Sequence, residues 1–109
     1  MPTKVVIYTG SFDPITLGHL DIITRASATF QNVYIGIGDN PAKKYLFTKG
    51  ERHNLMTNRV CHLNNVKVIE IPNNRLSVDV AYEMGASIIK GVRLNAADFD
   101  YEWLRKHKT

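Results

Sequence analysis

The chain has 109 residues, of which 44% are hydrophobic and 22% are charged, a composition typical of a single globular domain over residues 1–109. No run of about 18 apolar residues occurs, so the sequence predicts no membrane-spanning helix. The N-terminal stretch lacks the apolar core and cleavage site of a secretory signal, and the single Cys61 cannot form an internal disulfide. These features predict a cytoplasmic protein.

The net charge of +4 is concentrated at one end of the chain. Arg105, Lys106 and Lys108 supply three of these four charges within a basic tail at 103–109, so the rest of the chain is close to neutral. A nucleic-acid-binding surface is therefore disfavoured, and no stripe of alternating basic and aromatic residues supports one. We expect neither nucleic acid nor a membrane among the partners.

Four strand-like runs alternate with four helix-like runs along the chain. The strand predictions rest on short runs rich in β-branched apolar residues, at residues 5–8, 33–37, 66–71 and 87–92. The helix predictions rest on helical apolar spacing and on capping signals, at residues 18–30, 49–63, 77–84 and from about 97 onward. Thr48 and Glu51 form a capping-box pattern, and Gly85 is a helix stop. The alternation predicts an α/β fold with a Rossmann-like, doubly wound parallel sheet built from right-handed βαβ units.

The segments that follow the predicted strands are the candidate functional site, because ligands of such sheets bind beyond the carboxyl ends of the strands. Ser11 follows the first strand, and His19 lies in the first turn of a helix, whose N-terminus favours phosphate. Lys43 follows the second strand, and Lys90 and Arg93 lie at the end of the fourth. Taken singly, each of these residues is equally consistent with an ordinary surface residue that binds no ligand. Their convergence at the ends of three strands predicts a site for a polyphosphate.

Other kinds of catalytic site are not indicated by the sequence. No Ser-His-Asp set, general acid–base pair or Cys/His metal spacing is present, and neither common glycine-rich nucleotide motif occurs. No metal-binding residue is predicted. The remaining histidines, His53, His62 and His107, are interpreted as residues on helix surfaces.

The segment GSFDPITLGH, residues 10–19, resembles the T/HxGH signature of the nucleotidyltransferase superfamily. It is more closely similar to that of bacterial phosphopantetheine adenylyltransferases, which favour threonine at the position of Thr16. Three further stretches match this narrower family, namely LDIITRA at 20–26, NPAKK at 40–44, and KGVR at 90–93 together with DFDYE at 98–102. Family members continue into a fifth strand and a serine-rich ATP loop, so the resemblance implies a C-terminally shortened member with four strands.

The resemblance implies transfer of AMP from ATP to 4′-phosphopantetheine, which gives dephospho-coenzyme A and pyrophosphate in coenzyme A biosynthesis, with Mg²⁺ carried by ATP. By position, the implied catalytic residues are His19, Lys43 and Arg93. The implied ATP-binding residues are Ser11, Phe12, His19, Gly91, Val92, Arg93 and Glu102. The implied residues for the pantetheine substrate are Ser11, Lys43, Leu76, Ser77 and Lys90.

Two alternatives stay open from the sequence. The chain is a catalytically weak or inactive domain that retains the ligand pockets, or it is a related nucleotidyltransferase with another phosphorylated substrate. Because the family's fifth strand is missing, we also expect the edge of the fourth strand and one helix face to be open, which favours a homo-oligomer.

Overall fold

A computed structural model describes residues 5–89 of the chain. Its elements are β1 (Val5–Gly10), α1 (Leu17–Thr29), β2 (Asn32–Ile37), α2 (Lys49–Val60), β3 (Val66–Glu70), α3 (Ser77–Met84) and β4 (Ser87–Ile89). Every strand and helix predicted within this range is present. The second half of the strand predicted at 87–92, the helix predicted from about residue 97 and the basic tail lie outside the described residues.

The four strands form one parallel sheet in the order β3-β2-β1-β4. Val6 of β1, one of the two inner strands, pairs with Val33 on one side and with Ser87 on the other. The chain steps from β1 to β2 and β3 in one direction, and α3 then carries it back to the far side of β1. Because such crossovers are right-handed, this reversal places α3 on the face opposite α1 and α2. The predicted doubly wound, Rossmann-like sheet is thereby confirmed.

The main core lies between the sheet and the helices α1 and α2. Alternate residues of the strands point into it, as the period of two in a strand requires, and residues three to four apart on each helix meet them. The core includes Val6, Tyr8, Val33, Ile35, Ile37, Ile23, Ala26, Met56 and Val60. Full burial of each valine, isoleucine or methionine side chain contributes about 1.5–3 kcal/mol, so this layer holds the strand ends in a fixed arrangement.

Local signals begin and end the helices. The hydroxyl oxygen of Thr48 accepts the N–H of Glu51 at 3.1 Å, and the Glu51 carboxylate accepts the N–H of Thr48 at 2.8 Å, which is the predicted capping box. Gly85 ends α3 in the left-handed region with φ +67, where glycine has no Cβ penalty. None of the helices within residues 5–89 has the length and hydrophobicity that crossing a bilayer needs.

The end of α2 differs from its prediction. The helix ends at Val60, and not near Leu63, because the N–H of Leu63 bonds to the Val60 carbonyl at 2.9 Å in a tighter three-residue turn. The side-chain amide of Asn65 donates to the carbonyls of Ser27 and Phe30, which ties this turn to the end of α1. As a result His62, predicted on a helix surface, lies in an exposed turn after the helix.

Candidate functional site

A pocket of about 280 Å³ lies at the carboxyl end of the sheet. Its walls come from the segments after β1, β2 and β3 and from the start of α3, and they include Gly10, Ser11, Asp39, Lys43, Tyr45 and Ser77. Ser11, Lys43 and Ser77 are site residues predicted from the sequence, and the fold brings them together from three separate segments. The volume is close to the lower end of the range for small-molecule sites, ~300–1,000 Å³.

His19 lies in the first turn of α1, where it is part of the helix cap. The hydroxyl oxygen of Thr16 accepts the N–H of His19 at 3.2 Å, and Nδ1 of His19 accepts the N–H of Thr16 at 3.0 Å. Because Nδ1 is an acceptor, the neutral ring carries its proton on Nε2. Burial lowers the pKa of His19 from its usual value of 6.5. At neutral pH the imidazole is therefore an uncharged donor through Nε2–H.

The start of α1 also offers backbone donors. Four amides at a helix N-terminus lack partners in the helix, and the Thr16–His19 cap satisfies two of them. Within the described part of the chain, the N–H groups of Leu17 and Gly18 have no hydrogen-bond partner. Together with the Nε2–H of His19 and the partial positive charge of the helix end, they suit a phosphate group.

Phe12 packs against the His19 ring. Its backbone has φ +50, a left-handed conformation that costs a non-glycine residue about 1–2 kcal/mol. The ring is buried and makes edge-to-face contacts with Tyr8 and His19, with centroid separations of 5.2 Å and 4.9 Å. The side chain therefore belongs to the core and is absent from the described lining of the pocket, although Phe12 was predicted to contact ATP.

Lys43 lies on a loop between β2 and α2 that is shaped by its own hydrogen bonds. The side chain of Asn40 accepts the N–H of Ala42 at 3.0 Å, and the Asn40 carbonyl accepts the N–H of Lys43 at 2.9 Å. The hydroxyl of Tyr45 accepts the N–H of Asn40. Lys43 itself is exposed and lines the pocket, so its ammonium group is accessible to an anionic ligand.

Asp13 links the loop after β1 to the loop before α2. Its two carboxylate oxygens accept the N–H groups of Leu46 at 2.6 Å and of Phe47 at 2.9 Å. The sequence predicts no role for Asp13. The structure shows that it fixes the segment that follows Lys43 and Tyr45.

Arg52 is a buried charged residue that sequence reasoning missed. It is 1% exposed, and its guanidinium donates to the carbonyls of Phe47 and Ser11, each at 3.0 Å. It also forms an ion pair with Asp39 and lies 4.4 Å from the centroid of the Tyr45 ring. Arg52 thus contacts two of the segments that line the pocket, the loop after β1 and the loop between β2 and α2.

One signal for Arg52 exists in the sequence. Arg52, Met56 and Val60 recur at intervals of four, which places them on one face of a helix. All three are buried. An arginine on an otherwise apolar helix face indicates a buried charge that needs partners.

The remaining predicted residues are placed as follows. Leu76 is 66% exposed at the N-cap position of α3 and does not line the described pocket, whereas the adjacent Ser77 does. His53 is half-buried on α2, with Nδ1 3.3 Å from the Glu70 carboxylate.

The predicted site residues Lys90, Gly91, Val92, Arg93 and Glu102, together with His107, lie outside the described residues. Between residues 5 and 89, no group of three or more His, Cys, Asp or Glu side chains has the arrangement of a metal site.

The chain matches the model of the cytidylyltransferase-like family over residues 7–108, and it belongs to that family. It is 48% identical over 103 residues to proteins of Streptococcus pyogenes, strain Manfredo and others, that are named phosphopantetheine adenylyltransferase. The aligned region covers 94% of this chain and 62% of the length of those relatives. The resemblance predicted from the sequence is thereby confirmed.

Solved structures with low sequence identity share the fold. A lipopolysaccharide core biosynthesis protein from Thermoplasma volcanium has a TM-score of 0.63 at 17% identity, covering 94% of this chain and 88% of that one. A Plasmodium falciparum nicotinic acid mononucleotide adenylyltransferase complexed with APC has a TM-score of 0.55 at 18% identity, covering 83% and 50%. These likenesses support the α/β sheet architecture.

Proposed function

We propose that this chain carries the adenylyl-transfer site of a phosphopantetheine adenylyltransferase. The reaction joins the AMP part of ATP to 4′-phosphopantetheine and releases dephospho-coenzyme A and pyrophosphate. The observation that carries the proposal is the 48% identity to proteins of that name over 94% of the chain. The pocket supports it, because hydroxyl groups and a lysine meet there at the strand ends.

The proposed chemistry needs charge stabilisation and no protein nucleophile. A phosphate oxygen of 4′-phosphopantetheine attacks the α-phosphorus of ATP, and the bond from that phosphorus to the bridging oxygen breaks, so that pyrophosphate leaves with the electron pair. The attacking phosphate is already ionised at neutral pH, since its second pKa is about 6. No general base is therefore required, and catalysis depends on positioning and on donors aimed at the transferred group.

Within residues 5–89, one side chain can donate to the transferred group and another can position the attacking phosphate. His19 is neutral at pH 7 and can donate through Nε2 to an oxygen of the transferred phosphoryl group. Lys43 can hold the attacking phosphate at the pocket wall, with Ser11 and Ser77 as neighbouring hydroxyl donors. Contacts of the ATP phosphates with Gly91, Val92, Arg93 and Glu102, and of the pantetheine phosphate with Lys90, remain part of the proposal.

Mg²⁺ enters the proposal as a part of the substrate. Magnesium is commonly held by substrate phosphates together with one or two carboxylates. The carboxylate that lines the pocket, Asp39, is already paired with Arg52, so the described lining residues do not by themselves form a magnesium site. We infer that the ion arrives on the triphosphate of ATP.

A pyrophosphate-release assay with the full chain, ATP and 4′-phosphopantetheine tests the proposal. His19→Ala should lower turnover by about 10²–10³-fold, the usual effect of removing one donor to a transition state. The exposed His62→Ala is the matched control and should leave turnover unchanged. Equal turnover in His19→Ala and the unaltered chain would remove His19 from this role.

Two further measurements separate the alternatives. Calorimetry with ATP that shows binding, combined with no release of pyrophosphate, would indicate a ligand-binding domain instead of an enzyme. Turnover with nicotinate mononucleotide or with CTP, and none with the proposed pair, would assign another nucleotidyltransferase reaction.

We also propose that the chain self-associates and acts in the cytoplasm. Val78 and Tyr82, one turn apart on α3, are 56% and 87% exposed, and Leu76 beside them is 66% exposed. Such an apolar patch is typical of an interaction surface. Size-exclusion chromatography with light scattering should show an oligomer at micromolar concentration, and a monomer would contradict the proposal. Cell fractionation tests the location.

A further inference from the structure

We propose that Arg52 is a positioning residue for the phosphate site, which acts by holding the strand-end loops together and by neutralising Asp39 at the pocket wall. The inference rests on the proposed function for the identity of the anion. It assigns to Arg52 no contact with substrate. Its effect reaches the ligand through Ser11, Asp39 and the loop that carries Lys43.

The contacts of Arg52 join three segments. Nε donates to the carbonyl of Phe47 just before α2, Nη1 donates to the carbonyls of Ser11 after β1 and of Gly38 after β2, and Nη2 pairs with Asp39. A guanidinium can satisfy four acceptors from one buried position because its donors form a rigid fork. A lysine at the same place would have three donors on one atom and would reach fewer of these acceptors.

The pairing with Asp39 has an electrostatic consequence for the pocket. Asp39 lines the pocket, and its side chain is 23% exposed. An unpaired carboxylate at that wall would repel a phosphate and oppose the attraction of Lys43. With Arg52 in place, the charge of Asp39 is balanced from the side away from the solvent, and Lys43 determines the charge that an anion meets.

Two variants separate the effect of the Asp39 charge from the general stability of the fold. Arg52→Met leaves the Asp39 carboxylate unpaired. Adding Asp39→Asn removes the negative charge and keeps a side chain of the same shape with one acceptor oxygen. If Arg52 were only a structural residue, the second change would bring no recovery of anion binding. If Arg52 neutralises Asp39, the double variant should bind an anion better than Arg52→Met alone.

The probe is pyrophosphate, and its dissociation constant is measured by calorimetry on the full chain. Arg52→Met should weaken binding about tenfold, as expected for one unpaired charge several ångströms from the ligand at intermediate dielectric. Arg52→Met combined with Asp39→Asn should recover about threefold or more of that loss. Arg25→Met is the matched control, because Arg25 pairs with Asp21 at an exposed position of α1, and it should change the dissociation constant by less than about twofold.

Two more variants keep the test decisive if Arg52→Met fails to fold, which circular dichroism would show. Asp39→Asn alone should bind pyrophosphate as tightly as the unaltered chain or more tightly, because it leaves Arg52 without an opposing charge. Arg52→Lys should fold and bind with intermediate affinity. Weaker binding by Asp39→Asn would overturn the inference, and so would a double variant that binds no better than Arg52→Met.

The inference and the proposed function fail in different ways. The proposed function is refuted if the chain binds pyrophosphate but releases none from ATP and 4′-phosphopantetheine. The role of Arg52 is refuted if the affinity for pyrophosphate does not depend on the charge of Asp39. The first result comes from the turnover assay and the second from calorimetry.

Discussion

The two hydrogen bonds accepted by Asp13 provide a quantitative test of how the loops at the site are held together. A hydrogen bond to a charged group contributes about 1.5–3 kcal/mol, and an exposed one contributes less because water competes for it. One of these bonds, to Leu46, is exposed, and the other, to Phe47, is partly buried. We therefore expect Asp13→Ala to lower the free energy of unfolding by about 2–3 kcal/mol.

Thermal unfolding followed by circular dichroism measures this effect. For a chain of this size the midpoint moves by about 4 °C for each kcal/mol, so Asp13→Ala should melt about 8–12 °C lower. Asp13→Asn keeps one acceptor oxygen and should show about half of that shift. Asp21→Asn is the control, since Asp21 pairs with Arg25 at an exposed position, and its effect should stay below about 0.5 kcal/mol. An Asp13→Ala midpoint equal to that of the control would refute the view that Asp13 joins the two loops.

Three further predictions concern single residues. Burial lowers the pKa of His19 from 6.5, so the unfolded chain binds a proton more readily than the folded chain, and the free energy of unfolding should fall as the pH drops below 6.5. His19→Gln should therefore show a smaller decrease of the melting midpoint at acidic pH. The exposed His62→Gln is the control and should keep the full decrease. Gly85→Ala should cost about 1 kcal/mol in urea unfolding because φ is +67 there, whereas Gly50→Ala, at an open position of α2, should be neutral or stabilising; equal effects would contradict the conformational argument. Thr48→Ala should cost about 1 kcal/mol through loss of the helix cap, and an unchanged urea midpoint would show that the cap contributes nothing.

The elements of this fold could be predicted from the sequence because their signals are local. The run Val5–Tyr8 is apolar and mostly β-branched, and it lies in the inner strand β1. Thr48 and Glu51, three residues apart, form the capping box that begins α2, and Gly85 ends α3. Each of these signals acts within one or two turns of backbone, so the order of residues is sufficient to reveal it. The parallel sheet then follows from the alternation of strands and helices.

Only the tertiary structure decided which side chains hold the site together. Asp13 bonds to residues 33 and 34 positions away, and Arg52 bonds to the Ser11 carbonyl across 41 positions. These bonds go to backbone groups, which every residue possesses, so no pairing of residue types in the sequence announces them. Ser77 reaches the same pocket as Ser11 because strand order reverses at β1. Sequence patterns report local backbone preferences, whereas contacts between loops depend on how the assembled sheet aligns the strand ends.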